Sequence, residues 1–272
     1  MALDVTRPTG VDRSDTIPTN AVDLDNVSVQ YHVGGNALTA LSDITVSIPF
    51  GAFVSVIGPS GCGKSTMLRL ISDLLPTTSG RVSVLGGSPG EARRLRRVGF
   101  VFQDAALLPW CTVIDNVSLP LQIGPRQMRR NVRMRPEEAL RLVGLESFGA
   151  AYPGQLSGGM RQRVSIARAL VMAPDILLMD EPFGALDEIT RDRMNLELLD
   201  LWHRTKMTVI FVTHSIPEAA FLAQRIFVLQ SNPGRLSGVV ENPLPYPRTR
   251  DARGSQQMYE IAARLRQILE GE

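Results

Sequence analysis

Eight consecutive residues, Gly58, Pro59, Ser60, Gly61, Cys62, Gly63, Lys64 and Ser65, constrain this chain more than any other stretch. They fit the phosphate-binding pattern G-x-x-x-x-G-K-[ST], and their surroundings suit it. Residues 53–57 ahead of them are an apolar run of strand length, and residues 66–75 behind them carry the apolar stripe of a helix that Pro76 stops. Strand, glycine-rich turn and helix start in that order make an anion site. The glycines let backbone N–H groups converge on phosphate oxygens, and the helix N-terminus adds positive potential. Lys64 is then placed to reach the β- and γ-phosphates of a nucleoside triphosphate, with the Ser65 hydroxyl on Mg²⁺ and Thr66 opening the helix.

Composition narrows the class of chain around that site. With 272 residues, 44% hydrophobic and 21% charged, the sequence can bury a core of ordinary size. A net charge of +2 demands neither nucleic acid nor an anionic membrane as partner. The two cysteines, Cys62 and Cys111, lack metal-ligand spacing and read as free thiols of a reducing compartment. No apolar run reaches the ~18 residues of a membrane-spanning helix, and the N-terminus lacks the apolar core of a signal peptide. If the protein works at a membrane, another chain holds it there.

Periodicity supplies the organisation. Residues 1–21 are polar, contain two prolines and read as a disordered tail. Residues 22–31 and 41–48 alternate like half-exposed antiparallel strands around a turn at Gly34, Gly35 and Asn36, and residues 80–86 and 98–102 read as further strands. After Gln103 the pattern turns helical. Thr112 and Asp115 make a capping box that opens a helix over 113–119, which Pro120, Gly124 and Pro125 are expected to break. Arg126, Arg129, Arg130, Arg133 and Arg135 follow as a basic run, either a solvated helical face or a nucleic-acid face without interleaved aromatics. A helix is expected over 136–143, another over 161–172, and residues 104–172 read as a mainly helical insertion. Strands at 175–179, 207–212 and 225–230 then alternate with helices at 188–205 and 217–223, which predicts a parallel sheet covered on both faces. Residues 231–254 are rich in Pro, Gly and Arg, and 255–269 read as a terminal helix.

Two more motifs carry chemistry. The apolar run from Ile176 ends in two carboxylates, Asp180 and Glu181, where a parallel strand would deliver them to the phosphates. Asp180 there would orient Mg²⁺, and Glu181 would polarise an attacking water. Ser157, Gly158, Gly159 and Met160 open a helix with an N-cap serine and two glycines, leaving N–H groups free for an anion. With Gln103, Asp187 and His214 in the same order, residues 22–231 closely resemble the ATP-binding cassette (ABC) ATPases.

That resemblance implies an α/β fold: a P-loop NTPase parallel-sheet core with an N-terminal antiparallel β subdomain, a helical subdomain inserted at about 104–172, and a turn and helix over 232–272. It implies ATP and Mg²⁺ as cofactors. Tyr31 would stack on adenine, although it also reads as a plain strand aromatic. Gln103 would contact Mg²⁺ and the water. Ser157 and Gly159 would bind the γ-phosphate of ATP held by a second copy of the chain or a closely related cassette, with Asp187 at that interface. His214 would hydrogen-bond the γ-phosphate and hold Glu181 and the water. Met160 stands where the family usually has Gln.

Leu107, Leu108, Pro109 and Trp110, the stretch 152–163 and the turn at 232–235 are similar to the nitrate, sulfonate and taurine importer group. The implied role is the ATP-hydrolysing subunit of a bacterial importer of a small anionic solute, peripheral on the cytoplasmic face of the inner membrane. Its partners would be integral-membrane permease subunits and, indirectly, an extracytoplasmic solute-binding protein, with no nucleic acid. Leu107, Leu108 and Trp110 would either line the groove for the permease's coupling helix or pack within the insertion. The alternative is a soluble ABC ATPase acting on nucleic acid or ribosomes, which usually carries a second cassette or a long coiled coil. A P-loop kinase or GTPase would leave the Ser157–Gly159 signature unexplained.

Overall fold

The computed structural model describes residues 19–34, 36–123 and 134–271. Alternating apolar residues build a long antiparallel hairpin, β1 (Asn20–Val33) and β2 (Asn36–Pro49). Next come β3 (Phe53–Ile57), the phosphate loop, α1 (Lys64–Ile71) and β4 (Ser79–Val84), which pairs antiparallel with β1. The helix α2 (Pro89–Arg94) leads to β5 (Val98–Val101), and three helices follow before the next strand: α3 (Val113–Gln122), α4 (Pro136–Leu142) and α5 (Gly158–Leu170). The β/α rhythm then resumes with β6 (Ile176–Asp180), α6 (Glu188–Thr205), β7 (Thr208–Val212), α7 (Ile216–Leu222) and β8 (Arg225–Gln230). The chain ends in β9 (Arg235–Glu241) and α8 (Gln256–Glu270).

The strands form a three-stranded sheet, β2-β1-β4, and a six-stranded sheet, β5-β6-β7-β3-β8-β9. In the larger sheet every pair but β8–β9 is parallel. Its strands β3, β6, β7 and β8 are apolar on both faces, so successive residues enter opposite cores. Val54, Val56, Leu178, Ile210 and Val212 pack with the small sheet and with Met67, Leu68 and Ile71 of α1. Phe53, Ile57, Leu177, Met179, Val209 and Phe211 pack with helices α5 to α8. Because the strands run parallel, β3, β5, β6 and β7 deliver their C-terminal ends to one edge.

Two expectations change. Pro120 lies inside α3 and does not end it. The helix runs only to Gln122, so the missing N–H falls in its last turn, and the Pro120 carbonyl is taken up by Arg96 Nη1 at 2.5 Å. Gly124, Pro125, Arg126, Arg129, Arg130 and Arg133 lie outside the described residues, as do residues 1–18. The stretch after 231 was expected to hold a turn and a helix; it also contributes β9, antiparallel to β8. Gly238 interrupts the alternation of that strand and hid it, while Ile268 of α8 packs over the gap.

The chain beyond β9 also closes α7. Arg248, 4% exposed, donates to the carbonyls of Phe221 at 2.7 Å, Ala223 at 3.1 Å and Leu244 at 3.0 Å, and its guanidinium stacks 4.0 Å from the Tyr246 ring. Asn242 Nδ2 donates to the Ala220 and Ala223 carbonyls at 2.7 and 2.8 Å. These donors satisfy the last carbonyls of a helix whose end is buried. No helix among the described residues is long and apolar enough to cross a membrane.

Phe53 stands between Trp202 and Phe211, with ring centroids 5.8 and 6.2 Å away. Phe53→Ala is expected to cost about 3–5 kcal/mol in urea unfolding. A loss under about 1 kcal/mol would mean that this layer closes around the gap.

Candidate active site

Two glycines make the phosphate loop sterically. Gly63 caps α1 with φ 95°, and a Cβ there would run into Leu41 and the Ala40 carbonyl. A Cβ on Gly58 would run into the Leu229 carbonyl and come within 2.6 Å of Cys62 Sγ. Pro59, Ser60 and Gly61 are exposed at the mouth, whereas Cys62 is buried beneath it. Burial pushes the Cys62 thiol up and the Lys64 charge draws it partly back, so the thiol packs as a small apolar group. Lys64 is only 5% exposed, and its ammonium donates to the carbonyls of Gly58 at 2.8 Å and Pro59 at 2.9 Å. Tyr31 lies beside the helix start, its hydroxyl 3.4 Å from Thr66 Oγ1.

The carboxylates arrive from β6. Ser65 Oγ donates to Asp180 Oδ1 at 2.9 Å across 115 residues of sequence. Burial pushes the Asp180 carboxyl up and the Glu181 charge adds to it, while the Ser65 hydrogen bond, Arg69 and Lys64 draw it down. Glu181 turns off the strand at φ 44°, a left-handed conformation costly for a residue with a Cβ. Two contacts hold it there: its N–H donates to the Val212 carbonyl at 3.0 Å, and Oε2 lies 2.9 Å from His214 Nδ1. His214 is fixed in turn because Thr213 N–H donates to the Val56 carbonyl of β3 at 3.2 Å. Gln103 follows β5 on the same edge. A Cβ built on Gly184 would lie 3.8 Å from both Gln103 Nε2 and Glu181 Oε2, so the amide and the carboxylate both border Gly184.

The structure therefore brings together Lys64, Ser65, Gln103, Asp180, Glu181 and His214. Ser157, Gly158, Gly159 and Asp187 form a second cluster at the N-termini of α5 and α6. Ser157 Oγ caps α5 by accepting from Met160 N–H at 3.3 Å, and Asp187 Oδ1 caps α6 by accepting from Thr190 N–H at 3.0 Å. That hydrogen bond holds the Asp187 carboxyl below its usual range. A Cβ on Gly159 would come within 3.0 Å of Thr190 Cγ2, so the two helix starts touch. Among the described residues, no hydrogen bond joins this cluster to the phosphate loop or to Asp180 and Glu181.

Three residues near the site escaped sequence reasoning. Gly234, in the turn before β9, lies against the Cys62 and Ala40 carbonyls and backs the phosphate loop; the 232–235 turn marked the importer resemblance but not this contact. Thr213 and Glu218 bond to one another behind His214, at 2.5 Å. Nothing in the sequence singles out Glu218 within the helix expected over 217–223.

A phosphate loop, two carboxylates at the end of the adjoining parallel strand and a separate serine-capped pair of glycines are the arrangement of a P-loop ATPase cassette. The ABC transporter pattern matches residues 41–184, more than half of the chain. The chain is 46% identical over 257 residues to a taurine import ATP-binding protein of Rhizobium johnstonii, covering 90% of this chain and 95% of that one. It is 40% identical over 237 residues to an aliphatic sulfonates import ATP-binding protein of Bacillus cereus, covering 87% and 92%. Among solved structures, a dimeric bacterial ABC transporter cassette superposes with TM-score 0.68 at 37% identity, over 81% of this chain and 98% of that one. A post-hydrolysis cassette bound to ADP and Pi superposes equally well, TM-score 0.68 at 36% identity over the same 81% and 98%. The chain belongs to the ABC transporter family of ATP-binding subunits, and it is an ATPase.

The electrostatics make a pH prediction. A carboxyl whose folded pKa is raised adds stability below the unfolded pKa and loses it as pH rises through the folded value. Without nucleotide, Asp180→Asn should therefore raise the melting temperature at pH 7, with the gain vanishing below about pH 4. A variant that melts below wild type at pH 7 would show that Asp180 is already compensated.

Proposed function

We propose that this protein is the ATP-hydrolysing subunit of a bacterial importer and works as a head-to-tail pair of cassettes. One observation carries the pairing: the chain holds both halves of an ATP site, yet they form separate clusters. The loop end contains Lys64 and the carboxylates. The α5 end exposes Ser157 and Gly158 at the start of a helix of 13 residues, where helix N–H groups suit an anion. A second copy turned end to end supplies the missing half of each.

In that arrangement the backbone N–H groups of the loop over 58–66, Pro59 apart, cradle the phosphates, and Lys64 leaves the two loop carbonyls for the β- and γ-phosphate oxygens. Tyr31 stacks on adenine. Ser157, Gly158 and Gly159 of the second copy close over the γ-phosphate, with Asp187 beside them at the interface. Glu181 Oε2 takes the proton-side hydrogen bond of the attacking water, and His214 holds that carboxylate in place and donates toward the γ-phosphate. The donor set fits a divalent ion, because Ser65 and the raised Asp180 carboxyl already converge and Gln103 lies nearby. Mg²⁺ held by Ser65, Gln103 and Asp180 would neutralise charge on the phosphate oxygens.

The relatives named for taurine and aliphatic sulfonates favour a small organic anion as the transported solute. Permease subunits would hold the protein at the cytoplasmic face of the inner membrane, with a solute-binding protein on the far side; nucleic acid has no part. The surface for the permease is argued from exposed aromatics beyond β5. Trp110 is 73% exposed and Phe102 45%, with Phe102 stacked 4.3 Å from Phe100. Phe100 borders a groove of about 360 Å³ that also touches Arg96, Leu119 and Met172. Leu107, by contrast, packs against the core.

Trp110→Ala should keep the ATPase rate of the isolated protein within about twofold. It should also reduce recovery of a multi-spanning membrane protein when the tagged chain is purified from solubilised membranes. Unchanged recovery would remove Trp110 from the interface, and ribosomes or nucleic acid in place of a membrane protein would overturn the importer reading.

A further inference from the structure

We propose that Glu218 is a positioning residue for hydrolysis, acting through Thr213 on His214, with Arg191 beside it. The inference rests on the assignment of His214 to the hydrolytic site.

The sequence from Ser215 to Glu218 has the form of a capping box, in which the third residue's carboxylate returns to the N-cap N–H. Only half of that box forms. Ser215 Oγ accepts from Glu218 N–H at 3.4 Å, but Ser215 N–H donates to Thr213 Oγ1 at 3.0 Å and not to Glu218. The glutamate side chain is thereby released, and it turns inward: Glu218 is 5% exposed, and its Oε2 accepts from the Thr213 hydroxyl at 2.5 Å. Thr213 Oγ1 thus donates to Glu218 and accepts from Ser215, gripping the chain on both sides of His214. With Thr213 N–H on Val56, the backbone that carries His214 has few ways to move.

A buried carboxylate is an expensive way to hold one hydroxyl, so its other partners matter. Glu218 Oε1 makes no hydrogen bond and lies 4.0 Å from Arg191 Nε, itself buried without an acceptor. Arg191 belongs to the first turn of α6, one turn beyond Asp187. Arg253, from the segment ahead of α8, stacks 4.1 Å over Phe221 of α7 and pairs with Asp192 of α6 at 2.7 Å. Its Nε and Nη2 are buried without acceptors. Burial pushes the Glu218 carboxyl up, while Thr213, Arg191, His214 and Arg253 draw it back. One carboxylate thus links the His214 segment to the helix that Asp187 caps. A surface acid at a helix start would need none of these contacts.

The test compares ATPase kinetics of the full-length protein for Thr213→Val, Glu218→Ala, Glu218→Gln and His214→Ala, each checked by thermal melting. Thr213→Val removes the hydroxyl and leaves the buried Glu218 carboxylate without its one hydrogen bond, a cost that the double variant with Glu218→Ala does not carry. Thr213→Val should lower kcat by about tenfold to a hundredfold, as misplacement of a catalytic group does, with KM for ATP within about twofold. Glu218→Ala should match it, the double variant Thr213→Val with Glu218→Ala should be no worse than either, and Glu218→Gln, which keeps an acceptor for Thr213, should recover much of kcat. A folded Thr213→Val protein with wild-type kcat, while His214→Ala is impaired, overturns the inference and leaves the site assignment standing. Wild-type kcat in His214→Ala overturns both. Parallel loss of kcat, KM and melting temperature in Thr213→Val and both Glu218 variants would mark Glu218 as purely structural.

Discussion

A lysine that is 5% exposed must find in the protein what water would otherwise supply. Lys64 finds two carbonyls of its own loop, and that demand organises much of what surrounds it. The loop can fold back on the ammonium only if Gly58 and Gly63 carry no side chain. Those glycines are in turn pressed by Leu41 and Leu229, from two different sheets. The anion site is therefore a packing consequence of where the small sheet meets the large one. Across from it, Asp180 and Glu181 leave negative charge that only a cation satisfies fully. Ammonium and carboxylates share one sheet edge, and a triphosphate with a divalent ion, as proposed, would complete the charge balance there.

The parallel sheet makes that convergence automatic. Gln103, Glu181 and His214 lie within two residues of the ends of β5, β6 and β7, and Lys64 lies across the phosphate loop from the end of β3. Chain direction sets which end they occupy, and register sets how close they come. The pairing of Asp180 with Val212 puts Glu181 within hydrogen-bond distance of the residue two beyond β7. The α5 N-terminus comes from a different layer, which explains why the Ser157 cluster stands apart within one chain.

Much of this was legible in the amino-acid order because the physics involved is local. Glycines at fixed spacing, a serine N-cap before two glycines, and an apolar strand ending in carboxylates each announce their geometry within ten residues. The resemblance to ABC ATPases added the roles of Tyr31, Gln103, Asp187 and His214, which spacing alone does not assign. What stayed hidden depends on contacts between distant segments. β9 needs β8 to be a strand, and Gly238 needs Ile268 to fill its place. Pro120 reads as a helix breaker until its carbonyl meets Arg96. Glu218 is one acid among many until Thr213 takes the N–H that a capping acid would have accepted.

The central claim is that hydrolysis requires two copies of this chain, each completing the other's site. It is tested most directly by light scattering of Glu181→Gln, with and without ATP and Mg²⁺. That variant keeps every phosphate contact and loses the carboxylate that polarises water, so ATP should persist and hold two chains together as a dimer of twice the subunit mass. A protein that binds ATP with wild-type affinity yet stays monomeric at every concentration examined would contradict the account.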